Sequence, residues 1–554
     1  MHCGDGCVSG ACERAAGPTT LPAPTSSSSA PPSSSSVAPP GERSAFATAP
    51  GSFNVSGTSG VPAMHAALLA DGRVMFLDKV ENYTQVRLAS GAYAYSVIYD
   101  PDRNTVAPLA VRSNAFCSGG TFLADGTLIS AGGNDALPSV DPTVGNGFSA
   151  IRYLAPNALA AGWTETGNKL ASARWYASVQ MLNDSSVFVA SGSLNGLDSA
   201  ARANNNPTYE MLDPAGVPSG VNYVMDLLQR NEPYYMYPFV HLLLDGTLFV
   251  FVARQSQIFD PYGNRVLKEL PDLPGLFRTY PSTGTSVLLP LSRANSYSPE
   301  VLICGGGASP DINAQTDASC GRIRPLDATP SWEMDHMPSG RVMVEGVLLP
   351  DGTVLFLNGA GRGAQGFGFA SEPALAPLIY NPTAPLGSRF SVGAPSTIPR
   401  MYHSVALLLA DGRVLVAGSN PVEQPVLQAS AGVPFPTEFR VEIYTPPYLA
   451  GAAAGRRPTN ISLSTSDLYP AGDAFDIGFV APPGAKALRV ALCHGGFVTH
   501  SLHMGQRVVM LDTVGFVPGA SAQMITVSGP PGANVAPAGP WWAFVVVDGV
   551  PGVG

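Results

Sequence analysis

Charge is scarce in this chain of 554 residues, because only 13% of them are Asp, Glu, Lys or Arg. The balance is acidic, with a net charge of −10, which argues against a surface that binds nucleic acid. Long apolar runs are also missing, so the sequence predicts no membrane span. The start of the chain lacks the basic, apolar and cleavage-site pattern of a secretory signal.

Glycine and proline are plentiful instead, with 60 and 52 residues, and hydrophobic residues make up 45% of the chain. Frequent turns together with enough apolar side chains for a large core favour many short strands. We therefore expect an all-β protein.

A repeat begins near residue 60 and consists of an apolar run, an Asp-Gly turn and a β-branched run that ends in small residues. Such a turn between apolar segments predicts a β-hairpin. The copies are LLADGRVMFLD at 68–78, FLADGTLISAGG at 122–133, MLNDSSVFVASGS at 181–193, LLLDGTLFVFVA at 242–253, a degenerate VLLPLSRANSYSPEVLICGGG at 287–307, LLPDGTVLFLNGAG at 348–361 and LLLADGRVLVAGSN at 407–420. Their spacing of 45 to 61 residues accommodates a four-stranded blade, so seven copies predict a seven-bladed, kelch-like β-propeller.

The repeat stops after residue 445, and composition divides the chain further. Residues 51–445 are predicted to form the propeller, and residues 446–554 an immunoglobulin-like β-sandwich of short apolar strands. Residues 13–50 form a Ser/Pro-rich linker. Residues 1–12 contain three cysteines and resemble the last loop of a hevein-like chitin-binding module, so chitin or another wall polysaccharide is an expected partner.

Three features indicate an extracellular or cell-wall location. Asn-x-Ser/Thr sequons occur at Asn54, Asn82, Asn183 and Asn460. The Ser/Pro-rich tract is typical of extracellular linkers, and the cysteines near the start have the spacing of a disulfide-stapled module.

Side chains able to do chemistry recur at one position of the repeat, eight residues before the turn Asp. The residues at that position are Ala63, Cys117, Tyr176, Tyr237, Met343 and His403. Equivalent positions of successive blades surround the propeller axis. A thiol, a phenol and an imidazole from Cys117, Tyr176 and His403 are therefore expected to converge.

Two tyrosines and two histidines would form a tetragonal donor set that favours Cu(II). Tyr176, Tyr402 and His403 supply three donors, and His500 is the candidate for the fourth, with His503 as a rival by spacing. Adjacent strand residues face opposite sides of a sheet, so Tyr402 and His403 can both be ligands only at a strand end or a bulge. The alternative is that all of these are ordinary core residues.

From about residue 50 to its end, the chain resembles the glyoxal oxidase branch of the galactose oxidase-like copper radical oxidases. The stretches that carry the resemblance are FCSGG at 116–120, ARWYAS at 173–178, YPFVHLLLDG at 237–246, RTYPSTGTSVLLPL at 278–291, PRMYHSVALLLADGRVLVAGSNP at 399–421, TEFRVEIYTPPYL at 437–449 and THSLHMGQR at 499–507. They are long and spread over about nine-tenths of the chain.

The resemblance implies a role for each candidate residue. Tyr176 would be a copper ligand cross-linked by a thioether to Cys117, which lets it hold a stable radical. Tyr402 would be the axial ligand and the base that accepts the substrate proton. His403 and His500 would be the imidazole ligands. Copper and the radical together would accept two electrons.

One position departs from the galactose oxidase pattern. Leu194 stands where an aromatic residue would cover the thioether, which is expected to leave the radical less shielded and favours the glyoxal oxidase branch. The predicted function is therefore oxidation of small aldehydes such as glyoxal and methylglyoxal to carboxylic acids, with O2 reduced to H2O2 for use by peroxidases. The alternatives are a primary alcohol or galactose oxidase of the same family, and a copper-free wall-binding propeller.

Further residues have simpler expectations. Cys304 and Cys320 are the predicted disulfide, since they would close a loop between two strands of the fifth repeat. Cys493 should then stay unpaired and buried. His65 and His241 are expected to be structural, whereas Arg174, Tyr237 and Met343 are candidates for the surroundings of the site.

Overall fold

The computed structural model describes residues 47–48, 50–196, 198–468 and 473–554. Strands dominate it, and the one α-helix among these residues is Asp226–Arg230. The 3-10 helices of the same ranges are Pro156–Ala161, Arg202–Asn204, Arg293–Asn295, Pro447–Leu449 and Gly451–Arg456. No helix in this described part is long and apolar enough to cross a membrane. The predicted all-β class is confirmed.

Each sequence repeat folds into its own sheet, and the sheets are named one to seven by their order in the chain. Sheets one to four contain the strands His65–Leu68, Val74–Leu77, Ser96–Asp100 and Thr105–Leu109; Gly119–Phe122, Leu128–Ala131 and Ile151–Leu154; Ser178–Met181, Val187–Ala190, Thr208–Leu212 and Pro218–Val224; and Phe239–Leu242, Leu248–Val252, Gln255–Asp260 and Arg265–Glu269. Sheets five to seven contain Thr285–Leu288, Val301–Cys304, Ser319–Ile323 and Glu333–His336; Glu345–Leu348, Val354–Leu357, Leu378–Tyr380 and Phe390–Val392; and Ser404–Leu408, Val414–Gly418 and Arg440–Thr445. Within the described residues there is thus one sheet for each of the seven repeats, as the predicted propeller requires.

The first strand of each sheet lies innermost. Contacts join these strands between sheets two and three, three and four, five and six, six and seven, and seven and one. In sheets one to three the first two strands are buried along their whole length. Contact between the last sheet and the first is the arrangement of a β-propeller.

The Asp-Gly turns are local structures held by the Asp carboxylate. Oδ1 of Asp351 accepts the backbone N–H of Thr353 at 3.0 Å and its hydroxyl at 2.7 Å, while Gly352 has a φ of 92° that favours glycine. Equivalent bonds are made by Asp125, Asp184 and Asp245.

The seventh sheet is completed from the other end of the propeller sequence. Ser52–Thr58 pairs antiparallel with Arg440–Thr445 and becomes the outer strand of that sheet. Ala47–Thr48 pairs in parallel with Phe390–Val392 of sheet six, so this part of the predicted linker belongs to a sheet. The hevein-like stretch at 1–12 and most of the predicted linker at 13–50 lie outside the described residues.

The C-terminal region forms two packed sheets, as predicted for a sandwich. Their strands are Leu488–His494, Arg507–Leu511, Trp542–Val547 and Val550–Pro551 in one sheet, and Thr459–Leu463, Ala474–Val480, Thr513–Val514 and Ala522–Ser528 in the other. Side chains of Ala522–Ser528 alternate strictly between buried and exposed, as expected for a sheet with one face on a core. A parallel pairing of Leu291–Ser292 with Arg507–Leu511 joins the sandwich to the loop of sheet five.

One hairpin of the C-terminal region reaches into the propeller; we call it the finger hairpin. Its strands are Phe497–Thr499 and Leu502–Met504, and the first pairs with the inner edge of sheet one, with His65 opposite Thr499. Gly120 of sheet two is needed there, because a Cβ at this position would lie 2.4 Å from the Phe497 ring. The finger hairpin thus brings His500 to the innermost strands.

Two smaller features complete the described fold. Ala360–Gly363 and Ala370–Pro373 form a separate hairpin after the second strand of sheet six. Cys304 and Cys320 face each other on neighbouring strands and form a disulfide. Among the described cysteines, Cys117 and Cys493 are free and buried.

Deletion of residues 1–58 should destabilise the protein far more than deletion of residues 1–49. The longer deletion removes the outer strand of sheet seven, whose backbone hydrogen bonds each contribute about 1 kcal/mol net. We therefore expect a loss of several kcal/mol in the free energy of unfolding, measured by urea denaturation. Equal stability of the two truncated proteins would contradict this account of how the sheet is completed.

Candidate metal centre

The residues at the shared repeat position have one unusual backbone conformation. All six have positive φ, with values of 58° for Ala63, 52° for Cys117, 72° for Tyr176, 49° for Tyr237, 60° for Met343 and 64° for His403. Residues with a Cβ adopt this region rarely. The eight-residue offset therefore marks one structural position in six sheets, one or two residues before the innermost strand begins.

Backbone hydrogen bonds link this position between neighbouring sheets. The N–H of Tyr176 donates to Cys117 O at 3.0 Å, and the N–H of Tyr237 donates to Tyr176 O at 3.1 Å. The N–H of Met343 donates in the same way to Thr283 O at 2.8 Å. Thr283 thus holds the equivalent position in sheet five, where the degenerate repeat gave no marker.

Tyr402 and His403 lie in a turn that ends where the strand Ser404–Leu408 begins. The left-handed conformation of His403 removes the alternation that a regular strand would impose. As a result the two rings stack, with centroids 3.7 Å apart and planes at 29°. Of the two solutions that the sequence left open, a strand end and a bulge, the structure has the strand end.

His500 occupies the tip of the finger hairpin. It and Ser501 form the two-residue connection and have φ values of 50° and 70°, as a type I′ turn requires. Thr499 Oγ1 lies 2.6 Å from His500 Nδ1, so the hydroxyl fixes the orientation of the ring. His500 Nε2 is left to face the residues of the propeller.

The predicted site residues form one buried cluster. Sγ of Cys117 lies 3.1 Å from His500 Nε2 and 3.9 Å from His403 Nε2. The hydroxyl oxygens of Tyr176 and Tyr402 are 2.9 Å apart, and that of Tyr402 is 3.3 Å from His500 Nε2. Each of these side chains is at most 2% exposed.

Burial dominates the electrostatics of this cluster. It lowers the pKa of His403 and of His500 well below the usual value, so both imidazoles are neutral at neutral pH, as metal ligands must be. Burial also raises the pKa of Cys117, Tyr176 and Tyr402 well above their ordinary values. A bound cation would reverse the latter effect, because it stabilises the deprotonated thiol and phenols.

Two aromatic neighbours of Tyr176 were not found from the sequence. The ring of Tyr280 lies 4.3 Å from that of Tyr176, and the ring of Trp175 lies 5.1 Å from it, measured between centroids. Leu194 therefore does not leave Tyr176 without aromatic cover. Tyr280 could have been suspected only from its place in RTYPSTGTSVLLPL, because it lies three residues before Thr283, the shared repeat position of sheet five.

His503, the alternative to His500 as a ligand, contacts a carboxylate outside the cluster. His503 Nε2 lies 2.7 Å from Glu345 Oε2, and both side chains are 1% exposed. Three other residues weighed from the sequence also contact nearby structural groups: His65 faces Leu77 O at 2.8 Å, His241 faces Ser286 Oγ at 2.7 Å, and Arg174 donates to Glu210 Oε1 at 2.8 Å. These contacts agree with structural roles.

Comparison with known families agrees with this architecture. Residues 64–448, well over half of the chain, match the family described as glyoxal oxidase N-terminus. The chain belongs to the glyoxal oxidase family. Residues 457–554 match a second description, galactose oxidase-like, Early set domain, which corresponds to the sandwich.

Several curated relatives match this chain over about nine-tenths of its length. Aldehyde oxidase GLOX from Vitis pseudoreticulata is 36% identical over 92% of this chain and 97% of the relative. Aldehyde oxidase GLOX1 from Arabidopsis thaliana is also 36% identical, over 90% and 82%. Galactose oxidase from Gibberella zeae is 24% identical over 89% and 68%. The family and these relatives identify this protein as an oxidase.

A solved structure shares the fold. A fungal alcohol oxidase of the AA5 family, in complex with copper, superposes with a TM-score of 0.71. The match covers 91% of this chain and 98% of that one, at 19% sequence identity. The propeller-plus-sandwich architecture is thereby confirmed.

Substituting His500 and His503 of the finger hairpin one at a time should distinguish the metal ligand from the structural residue. His500→Gln should lose stoichiometric Cu(II) after dialysis, because its Nε2 faces the cluster. His503→Gln should keep the copper but lose about 1–3 kcal/mol of stability, since it weakens the buried hydrogen bond to Glu345. Copper content and urea denaturation measure the two effects. Loss of copper from His503→Gln alone would reverse the assignment.

Proposed function

We propose that this protein is an extracellular copper radical oxidase that converts small aldehydes to carboxylic acids and reduces O2 to H2O2. The observation that carries the proposal is the convergence of Cys117, Tyr176, Tyr402, His403 and His500 in one buried cluster. These residues come from three propeller sheets and the finger hairpin, which makes their convergence hard to attribute to core packing alone.

The donor set of the cluster fits copper. Two neutral imidazoles and two phenol oxygens are the nitrogen and oxygen donors that suit Cu(II). His403 Nδ1 is buried without a hydrogen-bond partner among the described residues, and His500 Nδ1 is held by Thr499. Copper, when bound by Tyr176, Tyr402, His403 and His500, would supply a one-electron acceptor beside the oxidised tyrosine.

Cys117 is the proposed partner of Tyr176 in a thioether. The two residues are neighbours at the shared repeat position, since the N–H of Tyr176 donates to Cys117 O at 3.0 Å, and both side chains are fully buried in the same cluster, which supports a bond between the sulfur and a ring carbon next to the Tyr176 hydroxyl. Bond formation there would remove one hydrogen from the thiol and one from the ring, with O2 as the oxidant. A sulfur on the ring would make the phenol easier to oxidise, so Tyr176 could hold the radical.

Tyr402 is the proposed base. Its hydroxyl oxygen lies at the centre of the cluster, 2.9 Å from that of Tyr176 and 3.3 Å from His500 Nε2. In its deprotonated form this oxygen would accept the O–H proton of an aldehyde hydrate, and Tyr176 would take the hydrogen from carbon. The hydrate and O2 then give a carboxylic acid and H2O2, which balances atoms and electrons.

Aldehydes are proposed over alcohols because of the relatives. Those at 36% identity are named aldehyde oxidases, whereas the galactose oxidase is 24% identical. Glyoxal and methylglyoxal are the proposed substrates, and peroxidases the proposed users of H2O2. The extracellular location is supported by the sequons, since Asn54, Asn82 and Asn460 are exposed and Asn183 is half-buried.

Copper-loaded, oxidant-activated protein should release peroxide with methylglyoxal and glyoxal but far less with galactose or benzyl alcohol. Tyr402→Phe should lower the aldehyde rate by roughly 10²- to 10⁴-fold, the scale of a lost proton-transfer group. Tyr444→Phe is the matched control, because its buried hydroxyl has no partner among the described residues and it lies in sheet seven. Turnover confined to the alcohols would support the oxidase mechanism but contradict aldehydes as the substrates.

Peptide mapping should show Cys117 and Tyr176 joined after exposure to copper and O2. The joined peptides should be lighter than their sum by a pair of hydrogen atoms, and Cys117→Ser should abolish the species. Two free peptides and no copper bound would overturn the oxidase mechanism and favour a copper-free propeller that binds wall polysaccharide.

A further inference from the structure

Tyr280 touches the proposed radical residue at its oxygen as well as on its ring. Its hydroxyl donates to the hydroxyl oxygen of Tyr176 at 3.2 Å, and the two rings lie 4.3 Å apart with planes at 39°. Its side chain is 5% exposed. A buried phenol thus meets Tyr176 at the atom whose charge changes when an electron is lost.

The backbone around Tyr280 is fixed by hydrogen bonds on both sides. The Thr279 hydroxyl donates to Tyr234 O at 2.7 Å and accepts the N–H of Ala253 at 2.8 Å. On the other side, the N–H of Gln365 donates to Pro281 O at 2.7 Å. These bonds come from sheet four, from the segment just before it, and from the hairpin that follows the second strand of sheet six, so the phenol is held independently of the proposed ligands.

The Tyr280 hydroxyl is the donor in its hydrogen bond to the Tyr176 oxygen. A hydrogen bond donated to a charged oxygen stabilises the charged form. The same bond gives less stabilisation to a neutral radical oxygen. A donor at this place therefore makes it harder to remove an electron from Tyr176.

We propose that Tyr280 is a positioning residue that sets the redox potential of Tyr176, through the hydrogen bond to its oxygen and through its ring. The proposal rests on the proposed function, in which Tyr176 holds the radical. The step concerned is loss of one electron from deprotonated Tyr176 to a one-electron inorganic oxidant. The Tyr280 proton stays on Tyr280 throughout. Aromatic cover of Tyr176 therefore includes a group that donates a hydrogen bond to its oxygen.

The test is a redox titration of copper-loaded Tyr280→Phe with ferricyanide mixtures, following the absorption of the phenoxyl radical. This variant keeps the ring and loses the donor, so its midpoint potential should fall below that of the unmodified protein. Tyr237→Phe is the matched control: its ring also packs on Tyr176, at 5.2 Å, but its hydroxyl donates to Ser118 O at 3.0 Å. The midpoint potential of Tyr237→Phe should equal that of the unmodified protein.

A second measurement starts from the unmodified holoenzyme, so its first result does not depend on the folding of a variant. In the oxidised holoenzyme, the C–O stretch of the phenoxyl group should shift between H2O and D2O in resonance Raman spectra, because its oxygen accepts a bond from an exchangeable proton. The shift should disappear in Tyr280→Phe and persist in Tyr237→Phe.

The outcomes separate this proposal from the function on which it rests. An unchanged or higher midpoint in Tyr280→Phe, or an equal fall in Tyr237→Phe, overturns the role of Tyr280 and leaves the oxidase intact. A phenoxyl band insensitive to D2O does the same. A copper-loaded protein that forms neither thioether nor radical overturns both proposals.

Discussion

The pairing of the finger hairpin with the inner edge of sheet one is the interaction on which the site depends. It spans few residues, with His65 opposite Thr499 and Ala66 opposite Val498, yet it places His500 among side chains of the propeller. Everything else in the cluster belongs to the propeller itself. Without this edge pairing, the cluster would have a single imidazole.

The second constraint is conformational. In six of the seven sheets, the residue just before the innermost strand is left-handed, a state that costs about 1 kcal/mol or more for a residue with a Cβ. All six of these residues occupy the same position of the repeat, and two of them, Ala63 and Met343, are not among the proposed site residues. The strain is therefore a property of the propeller framework, and the site uses positions that the framework already provides.

Much of the architecture was predictable because its signals are local and periodic. The Asp-Gly turns are short-range devices, and counting back from them located Cys117, Tyr176 and His403 without any structure. The finger hairpin itself was not predictable from pattern, since edge pairing across more than four hundred residues leaves no periodicity. His500 was reached as the missing fourth donor and through family likeness.

Tyr280 could not be found from the repeat pattern. It lies three residues before Thr283, the shared repeat position of its sheet, so an offset counted back from the turn would mark Thr283 and miss it. That position itself is identified only by the hydrogen bond between Met343 and Thr283, because the fifth repeat lacks the Asp-Gly turn. The cover of Tyr176 likewise could not be inferred from Leu194 alone. Aromatic contacts between sheets depend on side-chain direction. The absence of an aromatic residue at one position can therefore be compensated by a ring that comes from another sheet.

The strand Ser52–Thr58 has a consequence for synthesis of the protein. Sheet seven needs this early segment and Arg440–Thr445 together, and His500 is made later still. A ribosome-bound chain can therefore carry Cys117 and Tyr176 long before it can complete the donor set. Closure of sheet seven and assembly of the buried cluster are thus late steps, because both wait for segments that are made after most of the propeller.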